Sequence, residues 1–148
     1  MTIRLFSSIV FACVALSAEA AELPTADLYV QPAACPGAAN PERCKWQVTT
    51  FTEDHASALV GDYQAQRNVA YCLKSGCDGA IRREPVTACA WRIVILASGS
   101  FSVDASDEGN FNVDCGALSS SQQRRALTQA GTLFKAIYKK SLPREFGG

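Results

Sequence analysis

The sequence predicts a mainly α-helical domain that is stapled by disulfide bonds. Apolar residues recur at helical spacing along much of the chain after residue 52, and six of the seven cysteines follow a stretch with the pattern of a secretory leader. Prolines and turn residues concentrate between residues 21 and 52. We therefore expect a signal peptide over 1–20, an irregular disulfide-looped segment over 21–52, and a bundle of about three helices, including one αα-hairpin, over 53–148.

The leader begins with the positive charge of Arg4 and continues with an apolar run from Leu5 to Ala18. Small residues at Ala18 and Ala20 predict cleavage after Ala20. The run is shorter than the roughly 20 residues that a spanning helix needs. A membrane anchor or a lipoprotein at Cys13 remains an alternative, and a periplasmic or secreted protein is the prediction.

The composition is electrically balanced, with 14 basic and 14 acidic residues. Removal of the leader takes one residue of each sign, Arg4 and Glu19, and keeps the balance. A nucleic-acid partner requires a basic surface, so none is expected. No integral membrane segment is expected after the leader, because the apolar run from Val86 to Ala97 is short and contains Arg92.

The segment before the helices contains a short loop between Cys35 and Cys44, rich in turn residues. Beyond it, Trp46, Val48 and Phe51 alternate with polar residues and predict a short extended piece.

The first predicted helix runs from about residue 53 to 75, with Thr52 as its cap and Gly76 at its end. Its apolar stripe comprises Leu59, Tyr63, Gln66, Val69, Ala70, Cys72 and Leu73.

Pro85 opens the second predicted helix, which extends to about Ser98. Because it is apolar on nearly all sides, we expect it to be the buried central helix. The third predicted helix runs from about residue 120 to 140, and Ser120 with Gln123 fits a capping box at its start.

The first two helices and their connection carry a recognisable set of residues: Ala65, Asn68, Val69, Ala70, Leu73, Gly76, Gly79, Ile81, Glu84, Ala88 and Trp91. In this set the chain resembles a SEL-one-like repeat, a relative of the tetratricopeptide repeat. The resemblance implies that Ala70 and Ala88 let two antiparallel helices approach closely and that Trp91 fills the groove beside them. These three residues are the predicted structural core.

The chain departs from the repeat pattern at Ala70, where glycine is usual, and at Leu73, where tyrosine is usual. It contains one copy, whereas solenoids normally stack about three. A three-helix bundle that converged on the same packing remains an alternative. Repeats of this type present concave helical surfaces to partners, so the resemblance implies a protein-binding or adaptor role.

The six cysteines beyond the leader are expected to form disulfides in an oxidising compartment rather than a zinc site. The local loop predicts Cys35–Cys44. Matching depths in an antiparallel hairpin suggest Cys72–Cys89, which leaves Cys77–Cys115 as the third pair.

No catalytic, metal or cofactor site is predicted. The one histidine, His55, lies in a polar stretch and is expected at the surface. Residues 99–117 are expected to form an acidic loop, and a calcium site between Asp104 and Cys115 is a weaker alternative because Cys115 stands where a bidentate glutamate is required. The lysines near residue 140 are expected to form a solvated face.

Taken together, these patterns predict an exported, non-catalytic protein-binding or adaptor domain of the cell envelope that needs no cofactor. An envelope enzyme or enzyme inhibitor with an unidentified site is the alternative. A histidine or a carboxylate pair in a deep pocket would favour the alternative, whereas a shallow apolar groove beside the first helix would favour binding.

Overall fold

The structure is a computed structural model that describes residues 23–147, so the leader and its cleavage after Ala20 lie outside the described residues. Five long helices and a short sixth form the fold there: α1 Pro41–Leu59, α2 Tyr63–Ser75, α3 Pro85–Ala97, α4 Ala105–Gly116, α5 Ser120–Tyr138 and α6 Arg144–Gly147. Short 3-10 helices occur at Ala26–Leu28, Pro32–Gly37 and Cys77–Gly79. Between residues 23 and 147 there is no strand, only an isolated bridge between Val30 and Ile81. The predicted fold class, a mainly α bundle stapled by disulfides, is confirmed.

α1 begins inside the segment that the sequence analysis assigns to irregular structure. Asn40 caps it, accepting a hydrogen bond from the Arg43 backbone N–H at 2.9 Å, and Pro41 occupies the favoured first helical position. The alternation around Phe51 is therefore helical, and the predicted extended piece is wrong. The predicted boundary at residue 52 falls in the middle of α1.

The single helix predicted over 53–75 is in fact the end of α1 followed by α2. Gly61 separates them with a φ of 96°, a left-handed conformation that favours glycine. Asp62 then caps α2 by accepting from the Ala65 backbone N–H at 2.7 Å. Thr52 caps nothing, because it lies within α1. The predicted end at Gly76 agrees with the structure, where its φ is 85°.

α3 is the central helix, as its composition predicts, and it packs against α2, α4 and α5. Every residue from Thr87 to Ile95 is buried. Arg92 is the one charged residue in this run, and its Nε donates to Asp114 Oδ2 of α4 at 2.9 Å. The buried charge is thus paired, as buried charges must be.

Residues 99–117 are not a loop, since most of them form α4. Asp104 and Asp107 make a reciprocal capping box at its start. α5 has a capping box as well, formed by Ser119 and Gln122, one residue earlier than the predicted pair. α5 ends at Tyr138, two residues before the predicted end.

Candidate functional site

Three disulfides join the six cysteines of the described residues. Cys35–Cys44 is confirmed, with 5.3 Å between the Cα atoms. The other two predicted pairs are wrong, because the structure joins Cys72 to Cys77 and Cys89 to Cys115. Disulfides of this number are typical of oxidising, extracellular compartments.

The local backbone explains the first of these corrections. The chain leaves α2 through left-handed residues, with positive φ at Gly76, Cys77 and Asp78, and turns back so sharply that Cys77 meets Cys72. The second correction follows from α4, which the sequence analysis treats as loop. Since α4 is a helix packed on α3, Cys115 is held beside Cys89, 5.0 Å between Cα atoms.

The predicted core residues are buried. Ala70 and Ala88 have no exposed surface, and Trp91 is 1% exposed. The small side chains lie on α2 and α3, which pack against each other. These three residues therefore belong to the core of the bundle.

A groove of about 200 Å³, which we call the aromatic groove, lies between α1 and α2. Trp46 and Tyr71 line it, and about three-fifths of the surface of each of these residues is exposed. Buried Phe51 and the Cys72–Cys77 disulfide also line it. The remaining lining residues are polar: Gln47, Thr50, Asp54 and Asn68. Large aromatic side chains are normally covered, so two of them open to solvent around one depression mark a surface suited to contact.

Helical spacing brings these side chains together. Trp46, Thr50 and Asp54 follow one another at four-residue steps and so share a face of α1. Asn68 and Tyr71, three residues apart, share a face of α2. This surface is not predicted from the sequence, because the alternation around Trp46 suggests an extended piece. The Asn40-Pro41 helix start is the signal that identifies α1 and, with it, the shared face.

The groove has a polar side, where Asn68 Nδ2 donates to Asp54 Oδ2 at 3.1 Å. Burial raises the pKa of the Asp54 carboxyl, with the neighbouring charges of Asp62 and Glu53 adding to the rise, while the Asn68 hydrogen bond opposes it. Asp54 and Asn68 therefore form a hydrogen-bonded polar pair within the lining of the groove.

On the other side of α2, a polar depression is lined by Arg67, Arg92 and Asn110, and it shares Asn68 and Tyr71 with the aromatic groove. Both guanidinium groups are already paired. Arg67 Nε lies 3.2 Å from Asp107 Oδ1, and Arg92 is held by Asp114. This depression consequently offers polar contacts rather than a strong positive charge.

His55 is not a surface residue, contrary to the sequence prediction, and is 3% exposed. Its ring lies among Tyr29, Phe51 and Trp91, with centroids 5.8, 5.8 and 6.4 Å away. Burial lowers the pKa of the imidazole. The polar neighbours Glu53 and Asp54 suggest exposure, but His55 lies on the buried face of α1 together with Phe51 and Ala58.

A cavity of about 180 Å³, here called the histidine cavity, lies beside this ring. The inner part is formed by the buried residues Tyr29, His55, Thr87, Trp91 and Leu133. Exposed Thr128, Gln129 and Thr132 of α5 stand at the mouth. Leu23 and Pro24, the first described residues, line one side.

The acidic stretch from Asp104 to Cys115 is wound into α4, so its carboxylates cannot converge as a calcium loop requires. Asp104 accepts hydrogen bonds from backbone N–H groups, and Cys115 is in a disulfide. No cluster of three or more potential metal ligands occurs in the described part of the chain. Lys135, Lys139 and Lys140 are exposed, as predicted for a solvated face.

None of the helices described here is long and apolar enough to cross a membrane. No protein-family model matches the chain, and neither a curated protein nor a solved structure matches it.

Proposed function

We propose that this chain is an exported, non-catalytic protein-binding or adaptor domain of the cell envelope, and that it binds its partner in the aromatic groove. The observation that carries the proposal is the pair of exposed aromatic residues, Trp46 and Tyr71, around one shallow depression on α1 and α2. Tryptophan and tyrosine are the residues that most often dominate binding energy at protein interfaces. The predicted periplasmic or secreted location rests on the leader pattern and is supported by the three disulfides.

The partner we envisage is a polypeptide that places one apolar side chain between Trp46 and Tyr71. The lining is apolar enough to accept such an anchor, and the Asp54–Asn68 pair beside it offers hydrogen bonds to a main chain. The rigid backing by the Cys72–Cys77 disulfide and buried Phe51 lowers the ordering cost of binding. The SEL-one-like resemblance of α2 and α3 stays a prediction and agrees with a role in protein binding.

The test is capture of envelope proteins by the mature chain, with Trp46→Ala and Tyr71→Ala as the critical variants. Phe101→Ala is the matched control, because Phe101 is a fully exposed aromatic residue outside the groove. We expect one partner to be retained by the parent chain and by Phe101→Ala and lost by both groove variants. The purified partner should then bind at least tenfold more weakly to each groove variant, since hot-spot truncations cost about 2 kcal/mol or more. Equal capture by all variants would refute the groove assignment.

Export has its own test. N-terminal sequencing of the protein recovered outside the cytoplasm should begin at Ala21. An intact Met1 on membrane-bound material would instead favour the anchor.

The histidine cavity is the observation that favours an enzyme as the second candidate, because a buried imidazole beside a cavity can act as a base. The groups around the ring, however, are the aromatic side chains of Tyr29, Phe51 and Trp91. No carboxylate orients the imidazole among the residues described, and no nucleophile is hydrogen-bonded to it there. These surroundings suit binding better than acid–base chemistry.

A further inference from the structure

The imidazole of His55 has no hydrogen-bond partner among residues 23–147, although the residue is almost fully buried. In the same part of the chain, the one completely enclosed polar side-chain atom without a hydrogen bond is Oδ1 of Asp107. The ring nitrogens of His55 are therefore not sealed within protein. They keep a small accessible surface, and the histidine cavity is the space that His55 lines.

An unpartnered polar group in an apolar setting is costly, and native proteins normally satisfy it with protein, water or a ligand. Here the setting is the inner part of the cavity, where the imidazole lies beside Trp91, Tyr29, Leu133 and Thr87. The imidazole supplies one donor and one acceptor when neutral. Thr87 and Tyr29 add two hydroxyl groups to the lining, and Thr87 Oγ1 is already bonded to Gln129 Oε1 at 3.3 Å. The cavity thus presents a few polar groups, with the unpartnered imidazole among them, within largely apolar and aromatic walls, which is the usual composition of a small-molecule site.

Size and charge narrow the class of ligand. The cavity measures about 180 Å³, and engineered apolar cavities of about 150 Å³ accept a single benzene ring. No arginine or lysine among residues 23–147 lines it, so an anion entering it would lose its hydration without gaining an ion pair there. Burial also keeps the imidazole itself neutral near neutral pH.

We propose that the histidine cavity binds a small neutral molecule about the size of one aromatic ring, whose single hydroxyl or carbonyl group hydrogen-bonds to His55. The molecule enters past Thr128, Gln129 and Thr132, because these exposed residues of α5 surround the mouth. This site is independent of the aromatic groove, with which it shares no lining residue.

Phenol is the probe, and the imidazole ¹⁵N signals report its binding. Because His55 is the only histidine of the chain, these signals need no assignment. We expect phenol to shift one ring nitrogen in a saturable titration. Benzene, which has no hydroxyl group, should bind about tenfold more weakly, the usual cost of one hydrogen bond. Benzoate should not bind.

Two variants locate the site. Thr132→Phe places a ring at the mouth and should abolish binding of phenol. Thr49→Phe is its matched control, since Thr49 is also an exposed helical threonine bonded to the carbonyl four residues before it, outside both sites. His55→Phe has no imidazole signal, so its affinities are compared with those of the parent chain by calorimetry. It should bind phenol about tenfold more weakly and leave the affinity for benzene unchanged.

Several results would overturn the proposal: the absence of any shift with phenol, equal affinity for phenol and benzene, tighter binding of benzoate, or binding that Thr132→Phe leaves intact. If His55→Phe fails to fold, the Thr132→Phe variant still decides the question, because Thr132 is exposed. If phenol fails to bind but a captured partner protein shifts the same nitrogen, the cavity receives a protein side chain and the small-molecule proposal is wrong.

Discussion

Trp91 lies at the centre of the bundle with 1% of its surface exposed, whereas Trp46 stands on the outer face of α1 with 60% exposed. The difference comes from their helices. α3 is surrounded by α2, α4 and α5, while α1 contacts mainly α2 and the N-terminal turns. The same residue type therefore fills the core in one place and is available to a partner in the other. The comparison separates the part of the molecule that stabilises the fold from the part that we propose to bind.

The largest effect should come from Trp91→Ala. Loss of a fully buried indole leaves a cavity in the core, which typically costs about 3–5 kcal/mol of the free energy of unfolding. Denaturant unfolding of the parent, Trp91→Ala and Trp46→Ala measures it. A loss no greater than that of Trp46→Ala would contradict the assignment of Trp91 to the core.

Removal of a disulfide should lower the free energy of unfolding by less than Trp91→Ala does, and the loss should again be larger in the core than beside the aromatic groove. Cys89–Cys115 joins α3 to α4 across a separation of 26 residues, and Cys72–Cys77 spans only 5. In the loop-entropy description, replacing each pair by alanine costs about 3.5 and about 2 kcal/mol, respectively. Removal of Cys72–Cys77 should in addition weaken partner binding, because that disulfide lines the aromatic groove.

Peptide mapping of the unreduced protein checks the pairing beforehand. Recovery of a Cys72–Cys89 peptide would contradict the structure and restore the prediction made from the sequence.

The third expected effect is a pH dependence of the free energy of unfolding, caused by the buried imidazole of His55. Burial lowers the pKa of His55 in the folded state below its usual 6.5. Above pH 6.5 the imidazole is neutral in both states and its burial carries no protonation cost. As the pH falls below 6.5, the unfolded chain takes up a proton that the folded chain does not, so stability falls until the folded pKa is passed. One proton limits the slope to about 1.4 kcal/mol per pH unit.

Unfolding measured between about pH 7 and pH 5, where most carboxylates stay ionised, isolates this contribution. His55→Phe should flatten the curve over that interval. An unchanged slope in the variant would mean that another group is responsible.

The smallest effect on stability should come from Trp46→Ala. An exposed side chain of this kind changes the free energy of unfolding by no more than about 0.5 kcal/mol. Its partner affinity should nevertheless fall at least tenfold, as proposed for the groove. A variant that loses several kcal/mol of stability would show that Trp46 supports the fold, and the contrast with Trp91 would disappear.

Sequence patterns confined to a few neighbouring residues predict the corresponding parts of the structure correctly. Pro85 at the first helical position and the apolar run after it predicted α3, and Gly76 marked the end of α2. The turn-rich sequence between Cys35 and Cys44 predicted their pairing. The first part of α1 and the whole of α4 differ from the sequence prediction although their caps are present, because the prolines around Asn40 and the acidic residues after Asp104 suit loops as well as helix starts.

The sequence by itself thus determined the helical class, the buried central helix and one local disulfide, because each depends on spacing or on residues close along the chain. Tertiary structure decided the rest. The packing of α1 to α5 against one another decides which cysteine pairs with Cys89. It also decides which face of α1 is buried, so that His55 lies inside and Trp46 outside. Packing joins residues that are distant along the chain, and no local pattern records which of several compatible faces a helix buries.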